Sequence, residues 1–182
     1  MLGYLNRFLL IALTITPVYI LVRRPWRYSF RREVVLGCFV LFMAAFLVLA
    51  LEGDYGPPVQ MLQEARRRIR CKDSINLTPF HTISSFFHYM PTDDFLVNIG
   101  GNVVMFVPWG FGLVLLWKRF RKPLWLTTLC LLLTVSIEFI QLFVGRHVDV
   151  DDLILNFTGG LLGALLWFLL KKRFPSLEHL GK

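Results

Sequence analysis

The sequence lacks several residue patterns that mark catalytic and metal sites in proteins. It has three cysteines and no C-x-x-C pair, so it gives no sign of a disulfide framework or a cysteine metal site. It also lacks H-E-x-x-H, G-x-S-G, the phosphatase pattern K-x6-R-P with S-G-H, and the D-G-x2-A-R pattern of alcohol phosphotransferases. These well-known classes of membrane enzyme are therefore not indicated.

Charged residues are also scarce, at 18% of the chain, whereas 55% of the residues are hydrophobic and the mean hydropathy is +0.58. Several uncharged runs reach the roughly 20 residues that a helix needs to cross a bilayer. A net charge of +8 would suggest nucleic acid as a partner of a soluble protein. Here the basic residues cluster beside the apolar runs, where they set topology. The composition predicts an integral membrane protein with no nucleic-acid partner.

Five apolar runs predict an all-α, polytopic membrane helix bundle. The runs are Leu5–Val22, Val34–Leu51, Phe95–Trp117, Leu124–Val144 and Leu153–Leu170. They divide the chain into four parts: two N-terminal spans with a basic linker (1–52), an outer loop (53–94), a three-helix core (95–170) and a basic tail (171–182).

The distribution of lysine and arginine predicts the orientation of the bundle. With the N-terminus outside, thirteen basic residues lie in cytoplasmic segments and seven lie in outer segments, as the positive-inside rule requires. Trp117, Trp125 and Trp167 then fall at cytoplasmic helix ends, where interfacial tryptophans are common. The sequence predicts an N-out, C-in protein, although the run Arg66–Arg70 lies on the outer side.

The outer loop contains a helical pattern of its own. Val59, Leu62, Ala65 and Ile69 recur at near-helical spacing, and the arginines lie mostly elsewhere around the helix. This pattern predicts a short basic amphipathic helix on the membrane surface. Its arginines have two interpretations: contact with anionic lipid or polymer, and solvation of a linker helix. The segment that follows, Asn76–Phe80, is expected to return toward the membrane, where its backbone needs cover from other helices.

Polar side chains recur at helical spacing inside the apolar runs. An ionisable side chain at the centre of a membrane helix costs about 2.5–3.5 kcal/mol on insertion scales, so polar residues in such runs are normally retained for a function. The residues that share helix faces are Asn98 and Asn102; Thr134, Glu138 and Gln141; and Asp149, Asp152, Asn156, Gly160 and Gly163. The three stripes predict one polar pocket in the outer half of the membrane, capped by the turn 145–152 and the segment 76–80.

Glu138 is the least expected of these residues, because helix packing does not call for a carboxylate there. Either it is uncharged or it pairs with a cation such as Arg146, and both options make it a candidate site residue. Arg146 in turn either binds a phosphate or carboxylate, or neutralises Asp149 and Asp152. No metal or other cofactor is predicted, since the spacing of His147 and these acids is not diagnostic.

Several residues also have a purely structural interpretation. Asn98 and Asn102 can join helices by hydrogen bonds, and Gly159 and Gly163, four residues apart, favour close helix packing. Acids at helix N-termini favour the helix dipole and cap free N–H groups. Those expected to act as caps are Asp93, Asp94 and Asp151.

Five sequence motifs resemble the VanZ-like family of bacterial membrane proteins. They are N-L-T-P-F at Asn76–Phe80, Asn98 and Asn102 followed by F-V-P-W-G at Phe106–Gly110, I-E-F-I-Q at Ile137–Gln141, R-H-V-D-V-D-D-L-I-L-N-F-T-G at Arg146–Gly159, and a closing Gly163. The motif positions given a structural role are Asn76, Pro79, Phe80, Pro108, Gly110, Gly159 and Gly163. The resemblance implies a multi-pass protein of the bacterial cell membrane, linked to teicoplanin resistance without a change in the peptidoglycan precursor. The family has no established catalytic residues.

Three functions are compatible with these residues. The favoured one is a non-enzymatic pocket for a membrane lipid, a lipid-linked cell-wall component or an amphiphilic antibiotic, which lowers susceptibility to lipoglycopeptides. The binding residues would be Asn98, Asn102, Glu138, Gln141, Arg146, Asp149, Asp152 and Asn156. The second is an intramembrane enzyme on a lipid or lipid-phosphate, with Glu138, Asp149 and Asp152 as catalytic candidates. The third is a small oligomeric carrier of lipid or protons. A nucleophile beside a base is not evident, which favours the first.

The predicted orientation can be tested with single cysteines. Replacing Ser74 or His147 by cysteine should create a site that a membrane-impermeant thiol reagent labels from outside intact cells. A cysteine at Arg121 should stay unlabelled until the cells are opened. The reverse pattern would overturn the N-out, C-in topology.

Overall fold

A computed structural model describes residues 2–23, 29–71, 75–89 and 96–181, and nearly all of them are helical. The helices are α1 Leu2–Arg23, α2 Phe30–Ala50, α3 Pro58–Cys71, α4 His81–Tyr89, α5 Gly101–Leu116, α6 Pro123–Phe143 and α7 Val150–Arg173. The shorter elements are strands β1 Ile75–Asn76 and β2 Val148–Asp149, a π-helical turn Leu96–Gly100, and 3-10 helices Lys118–Arg121 and Pro175–Leu180. The predicted all-α bundle is confirmed.

Four helices are long and apolar enough to cross a membrane: α2, Asn98–Leu116, α6 and α7. The first predicted span falls on α1, whose apolar segment Leu9–Arg23 is shorter than the other four among the residues described. A fifth span therefore stays a prediction, and so does the orientation. The predicted caps Asp93 and Asp94 lie outside the described residues.

Helices α5 and α7 pack most closely, because glycines line their contact. A Cβ atom at Gly159 or Gly163 would lie 2.2 or 2.0 Å from a backbone oxygen of α5, and one at Gly110 would lie 1.9 Å from the oxygen of Gly160. Only residues without a side chain permit such an approach of two backbones. The motif glycines of α5 and α7 therefore set the distance between these helices.

Large side chains fill the bundle around this contact. Trp109 of α5 and Trp167 of α7 are buried, and Phe46 of α2 packs edge-to-face on Phe106 of α5 with ring centroids 4.9 Å apart. Apolar side chains also cover the outward faces. The exposed ones on α6 and α7 include Leu132, Val135, Phe139, Leu162, Leu165 and Leu169. A surface of this kind suits a lipid environment.

One end of the bundle gathers the polar loops. The Gln141 amide Nε2 donates to the carbonyl of Ala50 at 2.8 Å, which joins the C-terminal ends of α6 and α2. Strand β1 pairs in parallel with β2, so that Asn76 lies beside Asp149. The loop segment 76–80 and the turn before α7 thus meet at this end, as their sequence pattern predicts.

At the other end, two arginines fasten the C-terminal 3-10 helix. Arg32 Nε donates to the carbonyl of Leu180 at 3.1 Å, and Arg121 Nη2 donates to the carbonyl of Glu178 at 3.5 Å. Arg121 Nε also donates to the carbonyl of Val114 in α5 at 3.2 Å. The tail is therefore packed against the basic end of the bundle, away from the polar loops.

Replacing Gly163 with alanine is expected to lower the melting temperature of the protein in detergent. The added Cβ would meet a backbone oxygen of α5 at 2.0 Å, so the helices must separate, and overpacking of this kind costs about 1–3 kcal/mol. Gly100→Ala is the matched control, because a Cβ there meets nothing within 4 Å. Equal melting temperatures for the two variants would contradict the close contact.

Candidate functional site

A cavity of about 680 Å³ opens at the polar end of the bundle, within the size range of small-molecule sites. Its walls come from α4, α5, α7, the π-helical turn and the loop before β2. The lining residues are Thr82, Ile83, Asn98, Ile99, Gly101, Asn102, Met105, Arg146, His147, Asp149, Asp152 and Leu155. Five of the eight predicted binding residues are among them.

Asp149 joins three segments next to the cavity. It precedes α7 in an extended conformation, and its Oδ1 accepts the backbone N–H of Asp151 at 2.9 Å, as an N-cap does. The same carboxylate accepts a hydrogen bond from Asn76 Nδ2 at 3.2 Å and another from the hydroxyl of Thr82. Its oxygens are therefore occupied by protein donors, and it holds β1 and α4 against the start of α7.

Asp151 is buried and caps a different helix from the one expected. Its carboxylate accepts the backbone N–H of Phe80 and, at 3.0 Å, that of Ile83. The expected cap of α7 by Asp151 is thus corrected: Asp149 caps α7, and Asp151 caps the start of α4. Phe80 has a φ of 63°, a strained value for a residue with a side chain, and the bond to Asp151 holds it there.

Asp152 turns toward the cavity and joins α7 to α5. Its Oδ1 accepts a hydrogen bond from Asn102 Nδ2, and it forms no other hydrogen bond or ion pair with the part of the chain that is described. Asn102 thus links helices, as one interpretation predicts, while it also lines the cavity. The second oxygen of Asp152 is an acceptor available to a ligand.

Glu138 lies beneath the cavity lining, and it is 6% exposed. Its Oε2 accepts the backbone N–H of Asp149 at 3.2 Å, whereas its Oε1 is buried without a hydrogen-bond partner among the described residues. Such an unpaired buried oxygen is costly, and native proteins keep few of them. Glu138 therefore both supports the Asp149 turn and carries an unsatisfied polar atom close to it.

Arg146 brings a cation to the cavity. Its backbone is held on both sides, since its N–H donates to the carbonyl of Gln141 at 3.1 Å and its carbonyl accepts Arg68 Nη1 at 2.6 Å. Its guanidinium forms no hydrogen bond or ion pair with any residue in the described ranges, and it acts on Glu138 and Asp152 only through space. Of the two interpretations of Arg146, this geometry favours contact with a ligand.

Three of the eight predicted binding residues do not line the cavity. Glu138 lies behind Asp149, Gln141 donates to α2, and Asn156 is buried with its Oδ1 unpartnered in the described structure. Thr82 lines the cavity but was not predicted. It follows the 76–80 motif in what the sequence predicts to be the outer loop, where a threonine has no distinctive sequence signal.

The comparisons with known proteins agree with the motifs. A family model described as VanZ/LLP1 matches residues 36–171, which run from the first third of α2 almost to the end of α7 and include every residue of the cavity lining. No curated protein and no solved structure matches the chain. The predicted resemblance is therefore confirmed over most of the sequence. The chain is a multi-pass membrane protein that belongs to the VanZ/LLP1 family, a family linked to glycopeptide resistance.

Proposed function

We propose that the cavity binds the polar head group of a membrane amphiphile without transforming it, and that this binding lowers susceptibility to lipoglycopeptides such as teicoplanin at the bacterial cell membrane. The observation that carries the proposal is a pair of unused groups in one cavity. The guanidinium of Arg146 has no hydrogen-bond partner in the described part of the chain, and one oxygen of Asp152 likewise has none. Unused donors and acceptors in a cavity are what fix a ligand.

The charges of the site narrow the class of ligand. Asp149 and Asp151 are occupied by backbone and side-chain donors, so they act as structural acceptors. Of its acidic and guanidinium groups, the cavity offers a ligand the guanidinium of Arg146 and the second oxygen of Asp152. A phosphate or carboxylate suits the first, and a hydroxyl or ammonium group suits the second. A head group that carries both fits best, as in a lipid phosphate with a sugar or amine.

The remaining walls suit the apolar part of such a molecule. Ile83, Ile99, Met105 and Leu155 line the cavity beside the polar groups. Ligand sites commonly combine a mostly apolar wall with a few polar groups that set orientation. A membrane lipid, a lipid-linked cell-wall component and an amphiphilic antibiotic all share this chemistry.

The enzymatic alternative rests on one contact, the hydrogen bond from the Thr82 hydroxyl to Asp149. A hydroxyl beside a carboxylate is the start of a nucleophile and base pair. However, Asp149 also accepts hydrogen bonds from the Asn76 amide and from the N–H of Asp151. The acid/base candidate Glu138 does not line the cavity. These contacts support binding over catalysis.

Replacing Arg146 with glutamine is expected to return the teicoplanin inhibitory concentration of expressing cells to that of cells with empty vector. The change removes the cation that would hold the anionic group, and it leaves the Arg146 backbone contacts in place. Lys172→Gln, an exposed cation of the tail, is the matched control and should keep resistance, with both proteins at equal membrane levels by immunoblot.

Full resistance in Arg146→Gln would contradict the binding proposal. Purified protein should bind cell-envelope lipid extract without forming product. Turnover of that extract, lost in Asp152→Asn, would replace the proposal with the enzymatic alternative.

Replacing Glu138 with glutamine is expected to abolish the same resistance phenotype while expression holds. Glutamine keeps an oxygen that can accept the N–H of Asp149, but it cannot ionise or exchange a proton. The variant therefore separates the charge of Glu138 from its structural hydrogen bond. Unchanged resistance would reduce Glu138 to an acceptor that supports the turn.

A further inference from the structure

Helix α3 is fastened to the polar end of the bundle through one arginine. Arg68 is buried, and its guanidinium donates to the carbonyls of Gly145 at 2.8 Å and Arg146 at 2.6 Å. Ala65, one turn away, is 1% exposed. These carbonyls lie just beyond the C-terminal end of α6, where the chain leaves its membrane span. The contact therefore places α3 at the depth of the membrane interface.

The docked side of α3 leaves an apolar side uncovered. Val59, Leu62 and Ile69 are 66%, 42% and 58% exposed. They form a stripe along α3 next to the docked side that carries Ala65 and Arg68. Large exposed apolar side chains on a helix at the membrane boundary are normally buried among lipid head groups and the first acyl carbons. The uncovered stripe thus has a lipid surface next to it.

Two arginines on this side of α3 carry unbalanced charge. Arg66 and Arg70 are exposed, lie four residues apart and form no hydrogen bond or ion pair with any residue the structure describes. Like charges at this spacing repel and destabilise a helix. Arg67 differs, because it pairs with Glu64 at 2.6 Å, and its hydrogen bonds lower the pKa of the Glu64 carboxyl.

We infer that α3 is a binding site for anionic phospholipid, in which Arg66 and Arg70 share the lipid phosphate while Val59, Leu62 and Ile69 enter the interface. An anion between the two guanidinium groups removes their repulsion, and arginines near a membrane surface attract anionic lipid. The apolar stripe favours a lipid over a free phosphate, which would gain nothing from it. The inference goes beyond the proposed function and does not depend on it, because α3 does not line the cavity.

The test uses the full chain in a zwitterionic or non-ionic detergent. Cys71, exposed at the end of α3, carries an environment-sensitive fluorophore in a Cys38→Ser background, in which the remaining cysteine, Cys130, is buried. Phosphatidylglycerol should give a saturable change in fluorescence, and phosphatidylcholine should not. The double variant Arg66→Gln, Arg70→Gln should raise the midpoint on the order of tenfold, since each arginine contributes separately.

The control variant Lys172→Gln, Arg173→Gln removes the same charge from the tail, and its midpoint should stay that of the parent. An equal response to both lipids, or an unchanged midpoint in the Arg66→Gln, Arg70→Gln variant, would overturn the inference. Saturation by inorganic phosphate alone, or by a soluble polyphosphate without lipid, would assign the arginines to those anions and would also overturn it. If the double variant does not elute as a folded protein, Arg70→Gln alone carries the test, with a smaller shift expected.

Discussion

The carboxylate of Asp149 joins the separate sequence motifs into one site by hydrogen bonds. Asn76 reaches it from β1, Thr82 from α4 and the N–H of Asp151 from the first turn of α7. Its own N–H donates to Glu138 of α6. Four segments from two distant regions of the chain therefore depend on one residue, whose donor and acceptors are all in use. Because a buried polar group without a partner is costly, these segments hold one another in place, and the cavity is the space that they leave.

The packing of α5 on α7 provides the second constraint. The glycines at 159 and 163 bring the two backbones together about two and three turns beyond Asp152 along α7. At that helix separation the side chain of Asn102 spans the remaining gap to Asp152. Small residues deep in the bundle thus decide whether a hydrogen bond can form at its polar end. A close contact in the apolar core and a polar contact in the site are consequences of the same helix spacing.

The sequence was informative about helices and about which polar residues would meet. The spacing of Asn98 with Asn102, and of Asp149 with Asp152, predicted faces that do line one cavity. It could not predict the partner of Gln141, because the carbonyl of Ala50 is a backbone group without a residue signature.

The choice between neighbouring acids was also hidden. Asp149 and Asp151 are both placed to cap α7. Their roles differ because Asp151 instead accepts a hydrogen bond from the backbone N–H of Phe80, in a distant loop. The pairing of β1 with β2 involves two residues on each side, too few to leave a periodic pattern. Tertiary contacts of this kind decide which of two neighbouring residues takes a given role when their spacing in the sequence suits both.

The walls of the cavity differ in how they are held, and this has a consequence for the size of molecule it can admit. On one side, α5 and α7 touch through their backbones at the glycines, and no rotamer change can move them apart. On the other, α4 is attached to α7 by hydrogen bonds from Thr82, Phe80 and Ile83 to two carboxylates. Of these two sides, α4 is therefore the one that can move to admit a bulkier ligand, because its hydrogen bonds to Asp149 and Asp151 can exchange for bonds to water or to the ligand itself.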